Sequence, residues 1–268
     1  MDALPKTILV IPCYNEADRL NLDAFQNALA WHPDLILIFV DDGSRDETLE
    51  KLHGLASTQP DRVRVMHHSP NRGKAEAVRA GMLEAFRDRS TCVGFWDADL
   101  ATPLNALPEM LKTLMDFNQD AVFGARVQLL GRAIHRQLHR HLLGRLFATV
   151  TSIFLKLRIY DSQCGAKLFR RTEILEQVFA PPFTVDWLFD VELIARMMIL
   201  SRREINDIRQ PIIFEYPLMA WKDVPGSKLK PKHYLLAIKD MLKLWLRYRR
   251  EIVQQIKKLP VCADSSET

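Results

Sequence analysis

The chain has 268 residues, 48% of them hydrophobic, and a formal net charge of +4. That is enough apolar material for one large domain, or one domain with an appendage, and it excludes a disordered or fibrous chain. Four dispersed cysteines without a CxxC pair exclude a disulfide framework and a zinc knuckle, and apolar runs such as residues 35–40 are too short to cross a bilayer.

The opening MDALPKTILVIP has no basic segment followed by a long apolar one, so the expectation is a cytoplasmic protein, neither exported nor spanning a membrane. Charge is unevenly spread. Between Arg126 and Arg171, ten lysines and arginines, Arg136, Arg145 and Lys167 among them, meet a single acid, Asp161, and a second basic region runs over residues 228–258. Such a face suits phosphates, nucleic acid or an anionic lipid surface.

In chain order, residues 7–12, 35–40, 62–67, 91–96 and 120–125 read as short strands rich in β-branched and aromatic residues. Helical patterns at 16–31, 45–56, 73–89 and 104–117 separate them, the last opened by Pro103. This alternation predicts an α/β fold with a mainly parallel sheet covered on both faces, whose ligands lie beyond the carboxyl ends of the strands. Polar clusters stand at those ends: Tyr14, Asn15 and Glu16 after the first strand, which closes on Pro12; Asp41 and Asp42 after the second; Gly73 and Lys74 after the third; and Asp97, Ala98 and Asp99 after the fourth.

After Ala125 the alternation stops. Leu138, Leu142, Leu146, Val150, Phe154 and Leu157 recur at helical spacing, YDSQCGAKLFRR (residues 160–171) reads as loop into strand, and residues 187–200 read as a helix preceded by Asp186. A closing helix over 233–258 carries Leu235, Ile238, Leu242, Trp245, Ile252 and Ile256 as its apolar stripe, and the tail 263–268 is small and polar. The organisation expected is one domain over 1–230, followed by a basic amphipathic helix with a disordered tail over 231–268. Nothing in the pattern sets an oligomeric state.

Asp97 and Asp99 admit two readings. Two acids one residue apart in extended chain point the same way and grip one divalent cation, completed by substrate phosphates; alternatively Asp99 or Thr102 caps the following helix. Asp41 and Asp42 either accept from a ribose and a base, or form a solvated Asp-Asp-Gly turn. Gly73-Lys74 lacks the spacing of a P-loop. Cys164 has no placed histidine base and reads as a packed small residue.

In this order the motifs PCYNE, DDGSRDET, NRGKAEAVRAG, DADLATP, DSQCGAKLF, FDVELI and PGSK resemble the family 2 glycosyltransferases of GT-A fold, in particular the dolichyl-phosphate glucosyltransferase-like branch. The resemblance reaches to about Lys230. DSQCGAKLF, FDVEL and GSK are more specific than the N-terminal motifs; Glu76 and Ala166 depart from the usual pattern, which bears on the sugar and the acceptor.

The resemblance implies a UDP-sugar donor, UDP-glucose above all, held by Pro12, Tyr14, Asn15, Glu16, Asp41, Asp42, Gly73, Lys74, Asp97, Ala98 and Asp99. It implies Mg2+ or Mn2+ at Asp97 and Asp99, and an inverting transfer in which Asp190 serves as base. Asp161 would orient acceptor or metal. For a polyprenyl phosphate acceptor, already largely dianionic at neutral pH, cations matter more than a base, and Arg126, Arg136, Lys167 and Lys228 are the candidates. The segments 138–157 and 233–258 then suit peripheral contact with the cytosolic face of a membrane, or else packing on the domain itself. A hydroxyl acceptor on a soluble molecule, protein or glycan is the alternative. A non-catalytic basic module is more remote, and nucleic acid is disfavoured because the basic regions carry no interleaved aromatic platform.

Overall fold

The computed structural model describes residues 4–135, 138–201, 213–224 and 232–258; Arg136, Lys228 and the tail lie outside them, as do the side chains of Leu138, Leu142, Leu146, Leu235 and Ile256. The first half alternates as expected: β1 (Thr7–Cys13), α1 (Leu22–Trp31), β2 (Leu35–Asp41), α2 (Thr48–Thr58), β3 (Val63–His67), α3 (Lys74–Ala85), β4 (Cys92–Trp96), α4 (Leu107–Asp116) and β5 (Ala121–Ala125). There follow β6 (Ala133–His135), α5 (Leu138–Leu155), β7 (Ala166–Arg170), α6 (Glu173–Phe179), α7 (Phe189–Ser201), β8 (Ile213–Pro217), β9 (Ala220–Lys222) and α8 (Lys232–Lys258).

Seven strands form one sheet in the order β3-β2-β1-β4-β7-β5-β8, and β6 pairs with β9 in a small second sheet. The pairs β1-β2, β1-β4, β2-β3 and β5-β8 are parallel. β7 runs antiparallel to both its neighbours, β4 and β5. β2, LILIFVD, is buried at every position because helices cover both faces of the sheet. One face packs on α3, α6, α7 and α8 through residues such as Val78, Val178, Leu193 and Leu244; the other packs on α1, α2 and α4 through Phe25, Leu52 and Leu111.

The first helix is shorter than its pattern. Helix geometry begins only at Leu22, where Asn21 accepts from the Ala24 amide, because residues 14–17 are tied to the loop after β2. In α8 the buried face is Ala237, Asp240, Leu244, Tyr248 and Ile252, whereas Ile238, Leu242 and Trp245 of the expected stripe stay largely exposed. The same displacement occurs in α5, where Ala148, Thr151 and Leu155 are buried and Val150 is exposed. Each helix thus has an apolar face left over after packing.

Candidate active site

Strand order reverses on either side of β1, and the crevice beyond the carboxyl ends at that point gathers the first polar clusters. The loops after β1 and β2 are stitched together. The Asn15 amide donates to Ser44 Oγ at 2.9 Å, Asn15 Oδ1 accepts from the Arg45 amide at 2.8 Å, and the Glu16 amide donates to Thr48 Oγ1 at 2.8 Å. Glu16 is buried against Arg19, so Asn15 and Glu16 brace the rim.

Asp41 and Asp42 are both buried, not a solvated turn. Asp42 accepts from the amides of Arg72 and Gly73 at 2.9 and 2.8 Å and pairs with His68, which shapes the loop before α3. Asp41 Oδ2 meets His67 Nδ1 at 2.8 Å, while Oδ1 has no hydrogen-bond partner among the described residues. A buried acceptor left open costs about 1–3 kcal/mol.

Gly73 takes φ +92°, and a Cβ there would come within 2.5 Å of the Asp186 carboxylate. Asp186 Oδ1 in turn accepts from the Ala75 amide at 2.9 Å. The acid that precedes α7 in sequence therefore caps α3, an end whose own residue Gly73 has no side chain to offer.

Asp97 and Asp99 follow β4 not in extended chain, as expected, but in a turn closed by the Leu100 amide on the Asp97 carbonyl. Their charges still meet. Burial and then the Asp97 charge push the Asp99 carboxyl above the usual aspartate range, while Asp99 Oδ1 accepts from the Ala101 amide. At Asp97, burial works in the same direction but the Lys74 ammonium, 2.6 Å from Oδ1, outweighs it and holds the carboxyl below that range. Burial likewise opposes the Lys74 charge, and Asp97, with Asp190 and Asp99 farther off, keeps that ammonium more basic than an ordinary lysine. Gly165 lies against the same acid: its carbonyl accepts from the Asp97 amide, and an added Cβ would overlap the Asp97 carboxylate at 1.8 Å. Two neighbouring carboxylates, one made harder to ionise by the charge of the other, are oxygen donors of the kind that fit a hard divalent cation completed by phosphate oxygens.

Two of the expected roles change. Lys167 is fully buried; its ammonium donates to Asp190 Oδ1 at 2.6 Å and to the Cys164 carbonyl at 2.5 Å, with the rings of Phe95 and Phe123 beside it. It supports Asp190 from beneath and does not face an acceptor phosphate. Asp161 is committed to Arg126, accepting from Nε at 2.6 Å and Nη2 at 2.7 Å, so it orients that arginine rather than a metal. Burial disfavours the guanidinium charge, yet the bidentate Asp161 pair raises the Arg126 pKa further. Glu215 anchors the Asp161 loop by accepting from the amides of Tyr160 and Asp161. Cys164 is packed against Thr102, and burial, then Asp161, push its thiol up; it is no nucleophile.

Lys74, Asp97, Asp99, Arg126, Asp161 and Asp190 all line one cavity of about 950 Å3. Its far part is apolar, walled by Phe147, Val150, Ile153 and Phe154 of α5 and by Ile238, Leu242 and Trp245 of α8. The rim residues Pro12, Tyr14, Asn15, Glu16, Asp41, Asp42, Gly73 and Ala98 lie outside that lining. Sequence reasoning missed Gly165, Asp186, Arg145 and Trp221. The glycine of DSQCG was a usable signal; Trp221, 5.2 Å under the Arg126 guanidinium, had none. Arg145 lies 4.1 Å over the Tyr160 ring at the cavity wall.

Residues 8–179 match the family described as Glycosyl transferase family 2. A dolichyl-phosphate beta-glucosyltransferase of Drosophila melanogaster is 33% identical over 258 residues, covering 90% of this chain and 74% of the relative. One from Homo sapiens is 33% identical over 259 residues, covering 90% and 75%. The crystal structure of glucosyl-3-phosphoglycerate synthase from Mycobacterium tuberculosis, in complex with Mn2+ and UDP-glucose, superposes with a TM-score of 0.59 at 18% identity, covering 91% of this chain and 79% of that one.

Proposed function

The chain belongs to glycosyl transferase family 2, with the GT-A fold, and from that premise we propose that it transfers glucose from UDP-glucose to a polyprenyl phosphate. The observation that carries this reading is the two-part cavity: carboxylates and a paired arginine at one end, a hydrocarbon-lined gallery between α5 and α8 at the other. Such a space suits a molecule anionic at its head and apolar along its tail. The relatives from Drosophila melanogaster and Homo sapiens that match over nine-tenths of the chain are named as glucosyltransferases acting on dolichyl phosphate, which supports the glucosyl and acceptor parts of this reading.

In the transfer, an acceptor phosphate oxygen forms a bond to the anomeric carbon as the bond from that carbon to the diphosphate breaks, with inversion. A phosphate monoester, with its second pKa about 6, attacks without first losing a proton to the enzyme. Asp190, held by Lys167, then orients the sugar or the acceptor; this pairing disfavours the base role that a hydroxyl acceptor would demand. Arg126, fixed by Asp161, presents its remaining guanidinium edge to the incoming phosphate. Lys74 meets the diphosphate from the α3 N-terminus, while the buried Asp41 and Asp42 shape the loops beside the nucleoside through His67, His68 and the Gly73 amide. Asp97 and Asp99 would hold Mg2+ or Mn2+, which supplies neutralising charge to the departing diphosphate.

No helix among the described residues is long and apolar enough to cross a membrane. Exposed Ile238, Leu242 and Leu246, flanked by exposed Lys239, Lys243, Arg247 and Arg250, favour seating of α8 on an anionic lipid surface. We propose the cytosolic side for that surface.

The test is mass-detected transfer from UDP-glucose to a short polyprenyl phosphate with Mg2+ or Mn2+. Asp99→Asn should lower kcat by at least about a hundredfold, in line with loss of a charge-stabilising group, while Tm stays within a few degrees. Undiminished turnover in that variant, or faster transfer to a free glycan hydroxyl, overturns the reading.

A further inference from the structure

Glu192, in the first turn of α7 with Asp190, is fully buried and takes no part in the reaction described above. A carboxylate persists in such surroundings only when its oxygens are hydrogen-bonded. The amides of Thr184 and Val185 donate to Oε2 at 2.7 and 3.2 Å, and the Thr184 hydroxyl and Arg196 Nη2 donate to Oε1 at 2.9 and 2.8 Å. Arg196 is committed as thoroughly. Its Nη1 donates to the carbonyls of Val178 and Pro181, its Nη2 also to that of Pro182, and its guanidinium lies 4.6 Å over the Phe183 ring. The pair fastens α7 to the chain that leads into Asp186, Trp187 and Leu188 at the cavity wall.

Tyr248 brings α8 to this pair. Its buried hydroxyl donates to Glu192 Oε1 at 2.7 Å and accepts from Arg196 Nε at 3.3 Å. Ala237, Leu244 and Ile252 pack on the same core, but apolar contact has no preferred direction. A hydroxyl that meets both members of an ion pair fixes how the helix is rotated and how far it slides. Buried ion pairs contribute little net stability over apolar packing, and their best-attested use is to specify register. Tyr248 lies outside the cavity lining, whereas Ile238, Leu242, Trp245 and Val253 of the same helix belong to it.

We infer that Tyr248 is a positioning residue for recognition of the acceptor's hydrocarbon: by seating α8 on the buried Glu192–Arg196 pair it sets the width of the gallery between α5 and α8. It thereby sets how much binding improves with each added isoprene unit. The inference rests on the polyprenyl phosphate reading above for this kinetic consequence. The diphosphate end of the cavity is built by Lys74, Asp97 and Asp99, which stand on elements other than α8, so donor binding should be untouched.

The test compares the full-length chain with its Tyr248→Phe variant, which loses only the hydroxyl, on geranyl, farnesyl and geranylgeranyl phosphate with UDP-glucose as donor. In the unmodified protein the acceptor KM should fall by about tenfold or more from the shortest to the longest, well below what full burial of the added methylenes would give. In Tyr248→Phe that fall should shrink to about threefold or less, with the KM for UDP-glucose within about twofold. Amide hydrogen exchange over residues 237–252 should quicken by about fivefold or more. Leu244→Ala, which leaves a cavity on the same buried face, should lower Tm more than Tyr248→Phe does and yet keep the chain-length dependence. An unchanged chain-length dependence in Tyr248→Phe, an equal rise in KM for all three acceptors, or a loss of the dependence in both variants in proportion to Tm overturns the inference. Should the unmodified protein transfer nothing to any of the three, the acceptor reading falls and exchange decides the tie by itself: unchanged rates over α8 in Tyr248→Phe overturn it.

Discussion

The Lys74 ammonium lies 2.6 Å from Asp97 Oδ1, so the first residue of α3 neutralises the acid that follows β4. The pair joins two residues 23 apart in sequence, one in the helix that follows β3 and one just after β4. It also holds Asp97 ionised against burial that would otherwise protonate it.

Removing that ammonium should make the site acid-sensitive. In Lys74→Gln the burial of Asp97 is no longer opposed, its carboxyl rises, and nucleotide binding should fall as pH is lowered from neutral towards 5, where the unmodified protein still binds. At neutral pH the loss of one charge-assisted contact to phosphate should cost roughly ten- to a hundredfold in kcat/KM. Calorimetric titration with UDP across that pH range checks the first, and initial rates of transfer at neutral pH check the second.

Gly165→Ala forces a methyl group into the space of the Asp97 carboxylate. The acid must swing away, so transfer should fall steeply, with a stability loss of about 1–3 kcal/mol, the usual cost of overpacking. A variant with normal kcat would show that Asp97 has no fixed place in the reaction.

Asp190→Asn confounds catalysis with folding, because it strands the fully buried Lys167. Breaking a buried pair by removing one partner costs about 3–5 kcal/mol. The double variant Asp190→Asn/Lys167→Met should recover most of that stability in urea denaturation yet remain slow in transfer. Recovery of transfer together with stability would reduce Asp190 to a structural partner.

Burial pushes the Glu215 carboxyl up, although the amides of Tyr160 and Asp161 partly offset it. A carboxyl with a raised pKa in the fold contributes stability below the ordinary carboxylate pKa that is lost as pH rises through the folded value. Glu215→Gln removes this dependence. Its Tm relative to the unmodified protein should therefore climb between acid and neutral pH; a constant difference would mean that Glu215 is ionised throughout.

Much of the fold was legible because strand and helix patterns are local. The five strands of the first half appear within a residue or so of their sequence boundaries, and the acids stand at their carboxyl ends. Helix faces were read less well. Val150, Ile238 and Leu242 have the right spacing for a buried stripe, but the helices pack by Ala148, Thr151, Leu155, Ala237, Asp240 and Leu244 instead, because the side of a helix that is buried is set by where the neighbouring elements lie and not by leucine periodicity alone. Lys167 and Asp161 looked like site residues because they are charged and lie in a specific motif. Their actual duty, holding Asp190 and Arg126, depends on partners 23 and 35 residues away.

By itself the order of residues determined that short apolar strands alternate with helices and end in acids, since side-chain chemistry and periodicity act over a few residues. Only the folded chain decided that β7 enters antiparallel between β4 and β5, which carries Gly165 to Asp97 and Lys167 to Asp190. It likewise decided that Asp186 caps α3 rather than the helix it precedes. The reason is that a charge or an amide accepts whichever partner packing brings within hydrogen-bond reach, and packing is set by the whole core rather than by neighbours in sequence.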